Sequence, residues 1–246
     1  VANYDPDRIV VFAGPSLYGH RLVPPFVAHP PAAAGDLLRL LAEPPCTVVL
    51  IDGVFDERPA VWHKEILALL SGGFRVLGAA SMGALRAAEL APFGMIGIGH
   101  IFAAYAAGRI SGDDEVALAH GLQEHGFKPV SVPQVNVRAT LAQACRRKAL
   151  PVEAARAIRA LSAAIPFRDR IWPTIVAAAR AAVLDATAAA ADPIDLKAHD
   201  AVAALEHACE TCADAPTPHP PPPATPFLRA AAQAVGVELP GSAESG

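Results

Sequence analysis

The chain has 246 residues, 53% of them apolar and 18% charged, enough to bury one main domain and something smaller beside it. A formal net charge of -4 and a pI near 6.1 give no basic field for phosphate backbones, so nucleic acid is excluded as an expected partner. No apolar run approaches the roughly 20 residues that span a bilayer, and four cysteines are too few for a disulfide framework, which predicts a cytoplasmic protein with reduced thiols and no membrane partner.

In chain order, the β-rich runs RIVVFAG (8–14), CTVVLIDG (46–53) and FRVLGAA (74–80) are apolar throughout and end at small or turn-forming residues. Helical patterns separate them: LLRLLAE after Gly35 and Asp36, then PAVWHKEILALLSGG, opening on Pro59 and closing on Gly72 and Gly73. A fourth strand is expected in GMIGIGHIF (94–102). Continuous apolar strands alternating with helices describe βαβ units around a buried parallel sheet. The predicted fold is α/β, a Rossmann-like parallel sheet flanked by helices and followed by an α-helical C-terminal region.

After about residue 135 the pattern becomes Ala-rich helix: NVRATLAQACRRKA, PVEAARAIRALSAA, a segment around IWPTIVAAARAAV, and DPIDLKAHDAVAALEHACE with Asp192 and Pro193 as N-cap and N1. ADAPTPHPPPPATP (213–226) reads as a polyproline-type spacer, and FLRAAAQAVGVEL as a short, loosely attached helix before a polar tail. The expected division is 1–130 for an α/β domain carrying the site, 131–212 for the helical region and 213–246 for the spacer and tail.

Ligands of such sheets bind beyond the carboxyl ends of the strands, where GPSLYG, DGVFDERP and AASMG should converge. Ala79-Ala80-Ser81-Met82-Gly83 lies on a strand-to-helix turn and resembles the G-x-S-x-G elbow with alanine for the first glycine. Ser81 is then either a nucleophile or a helix N-cap. If it reacts, the amides of Met82 and of the Gly14-Pro15-Ser16 loop are candidates to hold an oxyanion, with Gly83 keeping the turn tight.

A phase of 100° per residue places His63 on the arc of Trp62, Ile66, Leu69 and Leu70, facing the sheet either as a base or as a core histidine. Asp52 could orient an imidazole or hold its loop by an Asx turn. Glu65 falls at the margin of the buried face, Lys64 on the far side, and Arg86 is long enough to reach the site from the Ser81 helix. In SGDDEVALAH (111–120), Asp113 or Asp114 is expected to cap a helix. His207, Cys209, Cys212 and His219 contain one C-x-x-C, but a set with a single cysteine pair, and with His219 inside the proline-rich spacer, does not make a zinc site the expectation. No G-x-G-x-x-G and no Walker A sequence occurs. Neither a metal nor a cofactor is predicted.

VFAGPS, LIDGVFDERPAVWHKEIL, VLGAASMGALRAAELAPFGMIGIGHIF and GDDEVALAHG together resemble a TfuA-like protein, strongly over about residues 8 to 121, and IPFRDRIWPTIV (165–176) resembles the helical half of that family. The resemblance implies a partner of a YcaO enzyme, which uses ATP to activate a peptide-bond oxygen. Together the two replace that oxygen by sulfur in ribosomally made peptides or in methyl-coenzyme M reductase. It further implies that this chain engages a ThiS-like sulfur carrier with a C-terminal thiocarboxylate, and serves the precursor peptide indirectly.

On that basis Ser81 would attack, His63 take its proton, Asp52 or Glu65 orient the imidazole, and Arg86 with Lys64 offset the substrate charge, making the protein a thiocarboxylate hydrolase. A water attacking directly, with Ser81 only binding, would use the same residues. The alternatives are a non-catalytic adaptor that docks the carrier onto YcaO, and, more weakly, an ordinary small-ester hydrolase.

Overall fold

A computed structural model describes residues 3–54, 58–211 and 215–241. Five strands, β1 (Asp5–Phe12), β2 (Phe26–His29), β3 (Cys46–Leu50), β4 (Arg75–Ala79) and β5 (Ile96–Ile98), form one sheet in the order β2-β1-β3-β4-β5, and every pairing is parallel. This is the α/β sheet that the apolar runs predict. Alternate residues feed two cores: Val10, Phe12, Val48 and Leu50 face one side, and Ile9, Val11, Val49 and Ile51 the other.

The first side is covered by a 3-10 turn at Leu38–Ala42, by α1 (His63–Ser71) and by α2 (Met82–Leu90). The second is covered by a helix from far along the chain, α8 (Leu196–Thr211), through Ala201, Ala204, Leu205 and Ala208. Between them come α3 (Gly99–Ala106), α4 (Gln134–Arg146), α5 (Val152–Ala163), α6 (Trp172–Ala181) and the short α7 (Thr187–Ala190). Helices α4 to α7 share a separate core that includes Val137, Leu141, Ile158 and Ile175.

Several local readings need correction. Strand β2 is absent from the sequence reading, because four residues between prolines give no periodic signal and only an edge position tolerates such flanks. β5 stops at Ile98, and the residues expected to continue it form α3 instead. α1 begins at His63 rather than Pro59, since Ala60 bridges to Ala33 and the Pro59 carbonyl accepts from Ala34 N at 2.9 Å, which keeps that segment extended. Asp113–Glu115 is only a 3-10 turn. α8 is capped by Asp195, which accepts from Ala198 N at 3.0 Å, whereas Asp192 pairs with Arg147. The C-terminal helix α9 (Pro226–Val235) is docked, not loose: Thr225 caps it, and Leu228, 1% exposed, packs on Leu38 and Ala68. Among the described residues no helix is long and apolar enough to cross a membrane.

Candidate functional site

In this strand order the chain reverses direction between β1 and β3, so the loops after those strands part and leave a crevice. Asp52, two residues beyond β3 and 2% exposed, fills its base. Its Oδ2 accepts from Gly14 N and Ser16 N, both at 2.9 Å, and its Oδ1 accepts from the Ser16 hydroxyl at 2.7 Å. Those two N–H groups were expected to face an oxyanion; the buried carboxylate engages them instead. Asp52 thus fixes the loop after β1, and no imidazole contacts it among the described residues.

The cation that faces Asp52 was missed in the sequence. Lys197, near the start of α8, lies with its Nζ 3.6 Å from Asp52 Oδ1 and donates to the Val116 carbonyl at 2.9 Å. Burial pushes its ammonium below the usual lysine range while Asp52 opposes that shift. Its signal was legible: Lys197 shares a helix face with Ala201, Ala204 and Ala208, four and more residues on, and that face packs on the sheet.

Ser81 stands at the head of α2, 1% exposed, and caps nothing with its side chain. The turn before it is tight. Ala80 has φ +63, and Ser81 N donates to the Ala79 carbonyl at 2.7 Å, a γ-turn of the strained hand. The left-handed position of this elbow is therefore Ala80, one residue before the serine. Gly83 explains how the helix can sit so low: a Cβ there would lie 1.7 Å from the Leu50 carbonyl oxygen. Gly83 N donates to the Ile51 carbonyl, so it is not an oxyanion donor, whereas Met82 N occupies the first helical position and is free of an intrahelical partner.

Ser81, Asp52 and Lys197 line one cavity of about 100 Å³ together with Pro15, Val116, Leu118, His120, Phe167 and Arg168. An apolar groove of about 380 Å³, bounded by Val130, Pro133, Ile171 and Trp172, adjoins it through Pro15, Leu118 and Lys197. The His120 Nδ1 lies 2.9 Å from the Gly121 carbonyl, which can only accept, so Nδ1 carries the proton and a neutral ring leaves Nε2 as an acceptor. His120 was present in the phrase GDDEVALAHG but carried no helix or strand pattern that would single it out.

Other expected members lie elsewhere. His63 does not face the sheet: as the first residue of α1 its side chain projects past the helix end, is exposed, and its Nε2 meets Glu89 at 2.7 Å. Arg86 joins the same surface cluster, bonding Glu89 at 2.8 Å and the Val61 carbonyl at 3.0 Å. Glu65 is fully buried and accepts from Gly35 N and Trp62 N, and desolvation raises its carboxyl to about 7. Lys64 reaches the Pro223 carbonyl of the spacer. Phe55, Asp56 and Glu57 of the DGVFDERP loop, and Cys212 of the C-x-x-C, lie outside the described residues.

No curated protein matches this chain. The family model for TfuA-like protein matches residues 52–171, a span that opens on Asp52 and takes in Ser81, His120 and Arg168 while leaving Lys197 beyond its end. From the Asp52 carboxylate to the wall of the adjoining groove, this chain is similar to the TfuA-like family.

Proposed function

We propose that this protein is the partner of a YcaO enzyme in peptide thioamidation and hydrolyses the C-terminal thiocarboxylate of a ThiS-like sulfur carrier to release sulfide. The TfuA-like family supports the YcaO-associated role. The observation that carries the finer reading is a buried serine hydroxyl, unused as a cap, lining the same small cavity as a buried lysine. A volume of about 100 Å³ accepts a carboxyl-sized chain end and excludes a folded domain, so the substrate must arrive as an extended tail. The apolar groove beside it gives that tail a path.

The chemistry follows from charge. A thiocarboxylate is an anion, and Lys197 with Arg168 offsets the repulsion that a nucleophile would meet at its carbonyl carbon. Ser81 Oγ forms the new bond to that carbon, with the Met82 N–H placed to receive the oxyanion. His120 Nε2 takes the hydroxyl proton and delivers it to the departing sulfur, which leaves as hydrosulfide. Water then cleaves the Ser81 ester, with His120 again as base, and frees a carboxylate. Asp52 holds Lys197 and the loop after β1 in register, a positioning role.

Mixing the protein with thiocarboxylated carrier, without YcaO or ATP, should release sulfide. Retention of the thiocarboxylate in a stable complex would overturn the hydrolase and favour the adaptor, a reading that the separation of His63 from the Ser81 cavity supports.

A further inference from the structure

Around the N-terminal half of α8, a second group of side chains has no part in the chemistry above. The carboxylate of Asp200 is fully buried, and its Oδ2 accepts from Ile101 N at 2.7 Å, which fixes the group and leaves Oδ1 for other partners. Two imidazoles converge on that oxygen: His100 Nδ1 at 3.4 Å, from the first turn of α3, and His199 Nδ1 at 3.5 Å, from α8 itself. Both separations exceed the usual 2.9–3.0 Å of a hydrogen bond. They fall within the ligand-to-ligand edge of a tetrahedral zinc site, about 3.3–3.6 Å for metal bonds of about 2.0–2.2 Å. One ligand atom from each of the three side chains falls within 4.8 Å of the others.

The backbone is shaped to this arrangement. Gly99 has φ +94, and a Cβ there would lie 2.4 Å from Asp200 Cγ, so only glycine lets the carboxylate occupy this place. The imidazoles are 73% and 64% exposed, which leaves the outer side of the triangle open to water or another ligand. A bound Ile101 N–H on the second carboxylate oxygen is the outer-shell support that metal carboxylates carry.

We propose that His100, His199 and Asp200 form an open binding site for one divalent transition metal ion of the zinc class, tying α3 to α8 about one helical turn beyond Lys197. No local spacing announces it, since His100 and Asp200 are 100 positions apart.

The test is equilibrium dialysis and titration of the full chain with Zn²⁺, and the visible spectrum after loading with Co²⁺. Expected are one ion per chain at micromolar concentration and a tetrahedral or five-coordinate cobalt spectrum with nitrogen ligands. His100→Ala and His199→Ala should each weaken binding at least about tenfold while far-UV circular dichroism stays native. Asp200→Asn keeps an acceptor for Ile101 N, so loss of metal in that variant reports ligation rather than misfolding. Cys209→Ser with Cys212→Ser should leave the stoichiometry unchanged. No binding at 100 μM Zn²⁺, or binding that survives both histidine changes and disappears with the cysteines, overturns the proposal.

Discussion

Replacing Gly83 by alanine tests the seat that places Ser81. In a free helix this change would stabilise by about 1 kcal/mol, because alanine is the better helix former. Here the added Cβ would lie 1.7 Å from Leu50 O, whereas real Cβ contacts stay above 3.0 Å, so α2 must withdraw by roughly the difference, about 1.3 Å. The contacting atoms are all backbone, so no side chain can swing aside. Withdrawal breaks the 3.1 Å bond from Gly83 N to the Ile51 carbonyl, worth about 1 kcal/mol, and overpacking adds about 1–3 kcal/mol. After the propensity gain, the net loss is about 1–3 kcal/mol, read by urea denaturation. Ser81 travels with the helix, and a displacement of about 1 Å at a reacting group lowers the rate on the order of 100-fold. Sulfide release from thiocarboxylated carrier should fall accordingly. A Gly83→Ala protein as stable as the parent or more so, with unchanged sulfide release, would refute the steric argument and the placement that rests on it.

Ser81→Ala should abolish sulfide release while carrier binding measured by calorimetry persists; equal loss of binding would return the serine to a structural role. His120→Ala should lower release by about 10²–10⁴-fold, and His63→Ala should leave it within a factor of a few, an order that the opposite result would reverse. Glu65 has a folded pKa of about 7 against 4.5 for the free group, so its contribution to stability is fully present below pH 4.5 and is lost as pH rises through 7, about 3 kcal/mol in all. Glu65→Gln should flatten that stretch of the stability profile, and an unchanged slope would contradict the assignment. Arg170, 1% exposed, donates to the carbonyls of Ser162 and Ile165, both at 3.1 Å, so Arg170→Met should cost about 3–5 kcal/mol by urea denaturation. A loss under 1 kcal/mol would mean that those carbonyls find other partners.

Most of the sheet was legible because β1, β3 and β4 are apolar on both faces, a pattern that only a covered parallel sheet requires. The turn at Ser81 was legible for the same reason: a strand ending in small residues before a helical stretch leaves the serine at the carboxyl end of the sheet. What failed was direction. His63 has the helical phase of Leu70, yet it stands in the first turn, where the side chain runs off the end of the helix toward Glu89. A phase count gives the angle around an axis and not the place where that axis begins, and the bridge from Ala60 to Ala33 moved the beginning by four residues.

The amino-acid sequence by itself determined the layers of this protein, since burial of apolar side chains is periodic and local. It also brought Asp52, Ser81 and the loop at Gly14 to one end of the sheet, because parallel strands end on the same side. Only the tertiary structure decided which charges meet there. The contact of Lys197 with Asp52 and the approach of His100 to Asp200 join α8 to segments about a hundred or more positions earlier, and no local pattern encodes such pairings. They exist because α8 returns to cover the open face of the sheet, and a buried charge on its packing side must find a partner where it lands.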